Sequence, residues 1–141
     1  MSCDCDCNQP AVYRPNIQRA RKAHACYECS AQIAPGESHQ YVFGVWDGDP
    51  GSFRTCRSCL ELRSWATDVA DCEPCHGELL ESASEELRNM SGPWTPQERQ
   101  QWWQGARLYI QARRQLRAAK EARRLRKAAT LPALQSVGAL P

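Results

Sequence analysis

Apolar and polar positions alternate with a period of two across residues 38–46. His39, Tyr41, Phe43 and Val45 fall on one side, and Val42, Gly44 and Trp46 on the other, as in a β-strand. Asp47-Gly-Asp-Pro-Gly51 supplies turn residues and residues 52–55 lead the chain back, so this region is predicted to be a β-hairpin. The period then lengthens: Cys59, Leu62, Ala66 and Val69 recur at helical spacing. Leu79, Ala83, Leu87 and Met90 repeat that spacing over residues 78–90, and Asn89, Gly92 and Pro93 end the helix.

A further helix begins at Thr95, with Thr95 as N-cap, Pro96 at the first helical position and Glu98 completing a capping box. No proline follows until Pro132, which predicts a helix of about 34 residues, roughly 50 Å long, weakened locally by Gly105. Trp102, Ala106, Tyr109, Ala112 and Leu116 share a face suited to docking, which Trp103 and Ile110 widen. From Arg113 to Lys127 basic side chains lie on several sides, the pattern of a helix that projects into solvent or onto a charged partner. Residues 10–22, with Pro10, Pro15, Arg14, Arg19, Arg21 and Lys22, read as a solvated linker, and residues 133–141 as a frayed tail.

Composition changes this picture mainly through cysteine. A chain of 141 residues divided this way buries no large apolar core, and it carries nine cysteines. The first residues have neither the basic start nor the apolar run of a signal peptide, and no stretch approaches the roughly 20 apolar residues of a membrane span. The expectation is a soluble protein of a reducing cytoplasm, where thiolates hold metal in preference to forming disulfides.

Cys26-Tyr-Glu-Cys29 and Cys56-Arg-Ser-Cys59, separated by 26 residues, have the spacing of a four-thiolate zinc site. The first pair forms a knuckle, and the second sits at the electropositive start of the helix after the hairpin, where thiolate is favoured. Knuckle, hairpin and helix in this order predict a small α+β zinc-binding fold, a treble-clef-like finger followed by an amphipathic helix and a long basic C-terminal helix. Four thiolates fill the coordination shell, which makes the metal structural and its binding part of the folding free energy. His24, two residues before Cys26, reads as a surface group in preference to an alternative ligand, and His39 as packed among aromatics.

A third CxxC, Cys72-Glu-Pro-Cys75, is followed by His76, and its only unassigned thiol partners are Cys3, Cys5 and Cys7. In an extended segment those three can face one side. A second zinc site is therefore expected, most simply from Cys5, Cys7, Cys72 and Cys75, with Cys3 and His76 as alternates.

Charge divides the chain. Residues 1–95 carry 8 Lys+Arg against 14 Asp+Glu, a net of −6, and residues 96–141 carry 10 against 2, a net of +8. Each four-thiolate zinc centre adds two further negative charges to the first part. The organisation read from this is a cysteine-rich head over residues 1–92, a basic helix over 93–130 and a flexible tail over 131–141.

The run Arg21-Lys-Ala-His-Ala-Cys26-Tyr-Glu-Cys29, with Ile33-Ala-Pro-Gly-Glu37, Tyr41, Gly44-Val-Trp-Asp-Gly48 and Phe53-Arg-Thr-Cys56-Arg-Ser-Cys59-Leu, resembles small, mostly uncharacterised bacteriophage and prophage proteins with a treble-clef-like finger. Those proteins often also open on closely spaced cysteines, and the likeness covers about residues 1–80. It implies a phage origin, a bacterial host cytoplasm and a zinc-dependent fold, and it supplies no catalytic residues. The His-Asn-His arrangement of treble-clef nucleases is missing from the sequence, as are a phosphate loop and a nucleophile–base pair, so the expectation is a non-enzymatic protein with no small-molecule substrate. Two partners suit it: nucleic acid, held through phosphates by Arg113, Arg114, Arg117, Lys120, Arg123, Arg124, Arg126 and Lys127, or a host protein that it binds and modulates.

Overall fold

The computed structural model describes residues 7–90 and 92–137, with side chains described through residue 131. Five strands precede three helices: β1 (Val12–Arg19), β2 (His24–Ala25), β3 (Gln32–Ile33), β4 (Ser38–Trp46), β5 (Asp49–Cys56), α1 (Arg57–Ala70), α2 (Leu79–Asn89) and α3 (Pro96–Val137). The fold is small α+β with a long C-terminal helix. No helix among the described residues is long and apolar enough to cross a membrane.

The predicted hairpin is present, its strands paired from His39↔Cys56 to Trp46↔Asp49, and Asp47 and Gly48 turn it in left-handed backbone conformations. A third strand was not expected. Residues 12–19, read as linker, pair antiparallel with β4 from Val12↔Val45 to Arg19↔Ser38, giving the sheet order β1-β4-β5. Prolines 10 and 15 suggested a break, but Pro15 lies on an edge strand, where its missing N–H can face outward at no cost to the ladder. Tyr13, Pro15 and Ile17 alternate with Arg14, Asn16 and Gln18, so a period of two was present beneath the prolines.

Ala20, Ile33, Cys59, Leu62, Trp65, Ala66, Leu79, Ala83 and Ala112 are buried together, so α1, α2 and α3 share one core next to the cysteines. Two indoles fix the helices. Trp65 Nε1 on α1 donates to the Gln101 carbonyl of α3 at 2.9 Å, and Trp102 Nε1 on α3 donates to the Leu87 carbonyl of α2 at 3.0 Å. Trp65 also explains Gly105: its indole lies where a Cβ at position 105 would sit, so the glycine that weakens helix propensity is the seat of the α1–α3 contact.

The capping box of α3 forms in both directions. The Thr95 N–H donates to Glu98 Oε2 at 2.7 Å and the Glu98 N–H to Thr95 Oγ1 at 3.2 Å, and the bond from the Thr95 backbone, with help from its hydroxyl, holds the Glu98 carboxyl below its ordinary pKa. The docking face is narrower than predicted: Ala106 and Ala112 are buried, whereas Trp103 and Ile110 are exposed. The helix is also longer, 42 residues in place of about 34, because it continues through Pro132 to Val137. On an exposed helix the carbonyl that Pro132 leaves without its N–H donor remains open to water, which lowers the cost of the proline. Residues 133–137 are thus helical where a frayed tail was expected, and residues 138–141 lie outside the described part.

Candidate metal centre

Cys26 and Cys29 flank a tight turn closed by the Ser30 N–H to Cys26 carbonyl bond (2.9 Å), with Ser30 at φ 60° and β2 and β3 pairing on either side. Cys56 ends β5 and is the N-cap of α1, and Cys59 lies in that helix's first turn. The hairpin therefore carries the second pair onto the first. All four Sγ atoms lie within 4.8 Å of one another, and Cys26, Cys29 and Cys59 are buried. Tetrahedral zinc with Zn–S bonds near 2.3 Å requires sulfur–sulfur edges of about 3.8 Å. Cys29 and Cys56 Sγ stand 3.8 Å apart, so the donor set fits zinc in number, chemistry and size.

The surroundings favour charge on this sulfur cluster. The Cys56 N–H points at Cys26 Sγ at 3.4 Å, and Ser58 Oγ lies 3.4 Å from Cys56 Sγ. Hydrogen bonds from Cys26 and the other thiols pull Cys56 well below the ordinary thiol pKa, while contact with Cys26 pushes Cys29 and Cys59 well above it. A divalent ion favours the thiolate form of all four, and its binding releases their protons. Ser58 also donates to Gln115 Oε1 at 2.8 Å, which ties α3 to the rim of the centre.

Beside the centre is an ion pair that the spacing of cysteines does not reveal. Glu28, inside the first CxxC, has its side chain 1% exposed and meets Arg63 of α1, 4% exposed, at 2.5 Å. Its Oε1 also accepts the Gly77 N–H at 2.9 Å, and its Oε2 the Leu79 N–H at 3.3 Å, at the start of α2. Arg63 donates in turn to the Pro74 carbonyl. One buried carboxylate and one guanidinium thus join the knuckle, α1 and the third CxxC turn. Helical spacing from Leu62 and Ala66 gave the only hint, by placing Arg63 close to the buried face.

Of the second cysteine set, the structure joins Cys7 to Cys75 as a disulfide across 68 residues, with Cα atoms 5.7 Å apart. Cys72 lies with them along a cleft of about 660 Å³ that Tyr13 and Trp46 also line. Cys3 and Cys5 lie outside the described residues. His76 stacks on Phe53 at 4.5 Å, with Nδ1 3.4 Å from Arg63 and Nε2 3.4 Å from the Tyr13 hydroxyl. Burial, reinforced by Arg63, lowers its pKa to about 4, so the ring is neutral at physiological pH. His39 is buried at 1% exposure, and His24 sits beside it with ring centroids 6.0 Å apart.

The eight basic residues assigned to partner binding all lie on α3. Arg113, Arg114, Arg117 and Lys120 are exposed, and every residue from 121 to 131 is exposed on all sides. Among these side chains, Arg124 is bonded to Glu121 at 2.7 Å, a solvent-screened pair that leaves most of the positive charge uncompensated. Comparison with family models, curated proteins and solved structures finds no match to the chain.

Proposed function

We propose that this chain is a non-enzymatic, phage-type zinc-finger protein in which a treble-clef-like head, held by structural zinc, presents α3 to nucleic acid. The observation that carries the reading is the free-standing basic end of α3. Residues 121–131 touch nothing that would bury them, yet Arg123, Arg124, Arg126 and Lys127 are concentrated there. Basic side chains around a whole helix suit phosphates, which are met from any side, better than base edges, which require one aligned face. The structural role of the metal rests on its donors, because four sulfurs fill a tetrahedral shell and leave no position for water or substrate. Zinc at a second site built from Cys5, Cys7, Cys72 and Cys75 belongs to the same reading for the reduced chain; the disulfide between Cys7 and Cys75 is the competing arrangement, and both must be thiolates to act as ligands.

The deciding experiment is affinity purification of the full chain with and without nuclease, with metal counted by native mass spectrometry in the same preparation. Nucleic acid recovered with the protein, and lost when the eight basic residues are replaced by Gln, is the expected result. Absence of nucleic acid overturns the reading. A metal count of two supports the second site, and a count of one rejects it.

A second reading, a host protein that the chain binds and modulates, is favoured by Trp103 and Ile110, exposed at 57% and 48% on the part of α3 nearest the head. One host protein retained stoichiometrically after nuclease treatment, and released by Trp103→Ala, is what that reading predicts.

A further inference from the structure

The outward face of the three-stranded sheet departs from what an exposed strand face requires. An antiparallel sheet with one face packed normally turns polar residues to the other. Here Val42 and Thr55 are fully buried on the packed face, with Phe53 beside them; the opposite face of the central strand buries His39 at the end next to Cys56 and opens beyond it through Tyr41 and Phe43. Phe43 is 37% exposed. The register is unbroken, so the cross-strand rows are fixed: Arg14, Phe43 and Ser52 form one, and Asn16, Tyr41 and Arg54 the next. The Arg54 guanidinium carbon lies 4.9 Å from the centre of the Tyr41 ring. No residue that β1, β4 or β5 directs to this face is Asp or Glu, although the head as a whole is acidic.

We propose that this face, built on Tyr41 and Phe43 with Arg14 and Arg54 beside them, is a stacking platform for single-stranded nucleic acid. It deepens the reading of α3 given above and rests on it for the class of partner. Two arguments select the occupant. Charge is the first, because two guanidiniums with no carboxylate among the strand residues of this face attract a polyanion and disfavour an arginine- or lysine-rich peptide. Spacing is the second. Side chains two apart on a strand stand about 7 Å apart, twice the roughly 3.4 Å rise per nucleotide of a duplex strand. Adjacent bases can meet both rings only when the strand is extended and unpaired, and rings with flanking arginines are the elements by which proteins hold such strands. Asn16 and Ser52, at the two edges, add hydrogen-bonding groups without charge.

The test measures fluorescence anisotropy of labelled 15-nucleotide oligo-dT, 15-nucleotide oligo-U and a 15-base-pair duplex with the full zinc-loaded chain at fixed salt. Single strands are expected to bind more tightly than duplex. Tyr41→Ala and Phe43→Ala should each weaken single-strand binding by about 5- to 150-fold, the range for loss of one stacked base, with duplex binding unchanged. Phe43→Trp should restore stacking, and metal content and thermal midpoint serve as controls for folding. If both alanine variants keep the wild-type ratio of single-strand to duplex affinity, the platform is overturned, whatever α3 does. If Gln replacement of the α3 basic residues abolishes duplex binding while single strands still bind and still respond to Phe43→Ala, the platform stands without α3. If neither nucleic acid binds, both proposals fall together.

Discussion

Glu28 shows what a single residue can decide in this molecule. Its buried carboxylate meets Arg63 at 2.5 Å and also receives two backbone N–H groups, whereas Glu73, 3.7 Å from the same guanidinium, is half exposed and compensates it weakly. Glu28→Gln is therefore expected to cost about 3–5 kcal/mol, the usual consequence of leaving a buried charge without its partner. Urea denaturation of the zinc-loaded protein measures it, and Glu28→Gln combined with Arg63→Met should recover most of the loss. Gly105 allows a test of sign. Propensity alone predicts that Gly105→Ala gains up to about 1 kcal/mol, but the new methyl group meets the Trp65 ring. The variant should be less stable than wild type, and a rise in its thermal midpoint would show that the indole moves aside easily. Neither residue announced its role in the sequence. Glu28 stood in the sequence only as one of the two residues inside a CxxC, and Gly105 as a local weakening of the helix, because both act through partners distant in the chain.

Elements were legible where one period dominates. The hairpin, the second helix and the capped start of α3 appear as the alternation, spacing and capping box indicate. The four cysteines come together because strand pairing and the start of α1 act on two CxxC pairs already spaced for it. What was missed followed from rules that depend on context. Proline excludes a central strand but not an edge, so β1 was hidden, and it stops a packed helix more surely than an exposed one, so α3 overran Pro132.

Two outcomes test the elements. Removal of residues 117–141 should leave the thermal midpoint of the head within about 2 °C, because every residue from 117 to 131 except Ala119 is exposed and surface changes are typically below ~0.5 kcal/mol. Chelation of the metal should instead abolish the cooperative transition of the head, as metal-binding free energy in such domains is folding free energy. Loss of near-ultraviolet circular dichroism on chelation, reversed by zinc, is the expected signal.

For the whole molecule the deciding property is the separation of charge, net −6 over residues 1–95 and +8 over residues 96–141. If α3 engages phosphates, the logarithm of affinity should fall linearly with the logarithm of salt concentration, with a slope of about −0.9 per duplex phosphate neutralised. Each Arg→Gln change among residues 117–127 should flatten that slope by nearly one, whereas Phe43→Ala should leave both the duplex affinity and its slope unchanged and lower only single-strand affinity. A slope near zero would mean that α3 does not bind a polyanion.

The overhang of α3 has one further consequence. From Arg117 to Val137 the helix extends 21 residues, roughly 31 Å at 1.5 Å per residue, away from an acidic body. Opposite charges held that far apart on a stiff rod make the molecule a permanent electric dipole of large moment. Near a polyanion such a dipole experiences a torque before any contact, so an encounter would begin rod-first, with the cysteine-rich end turned away.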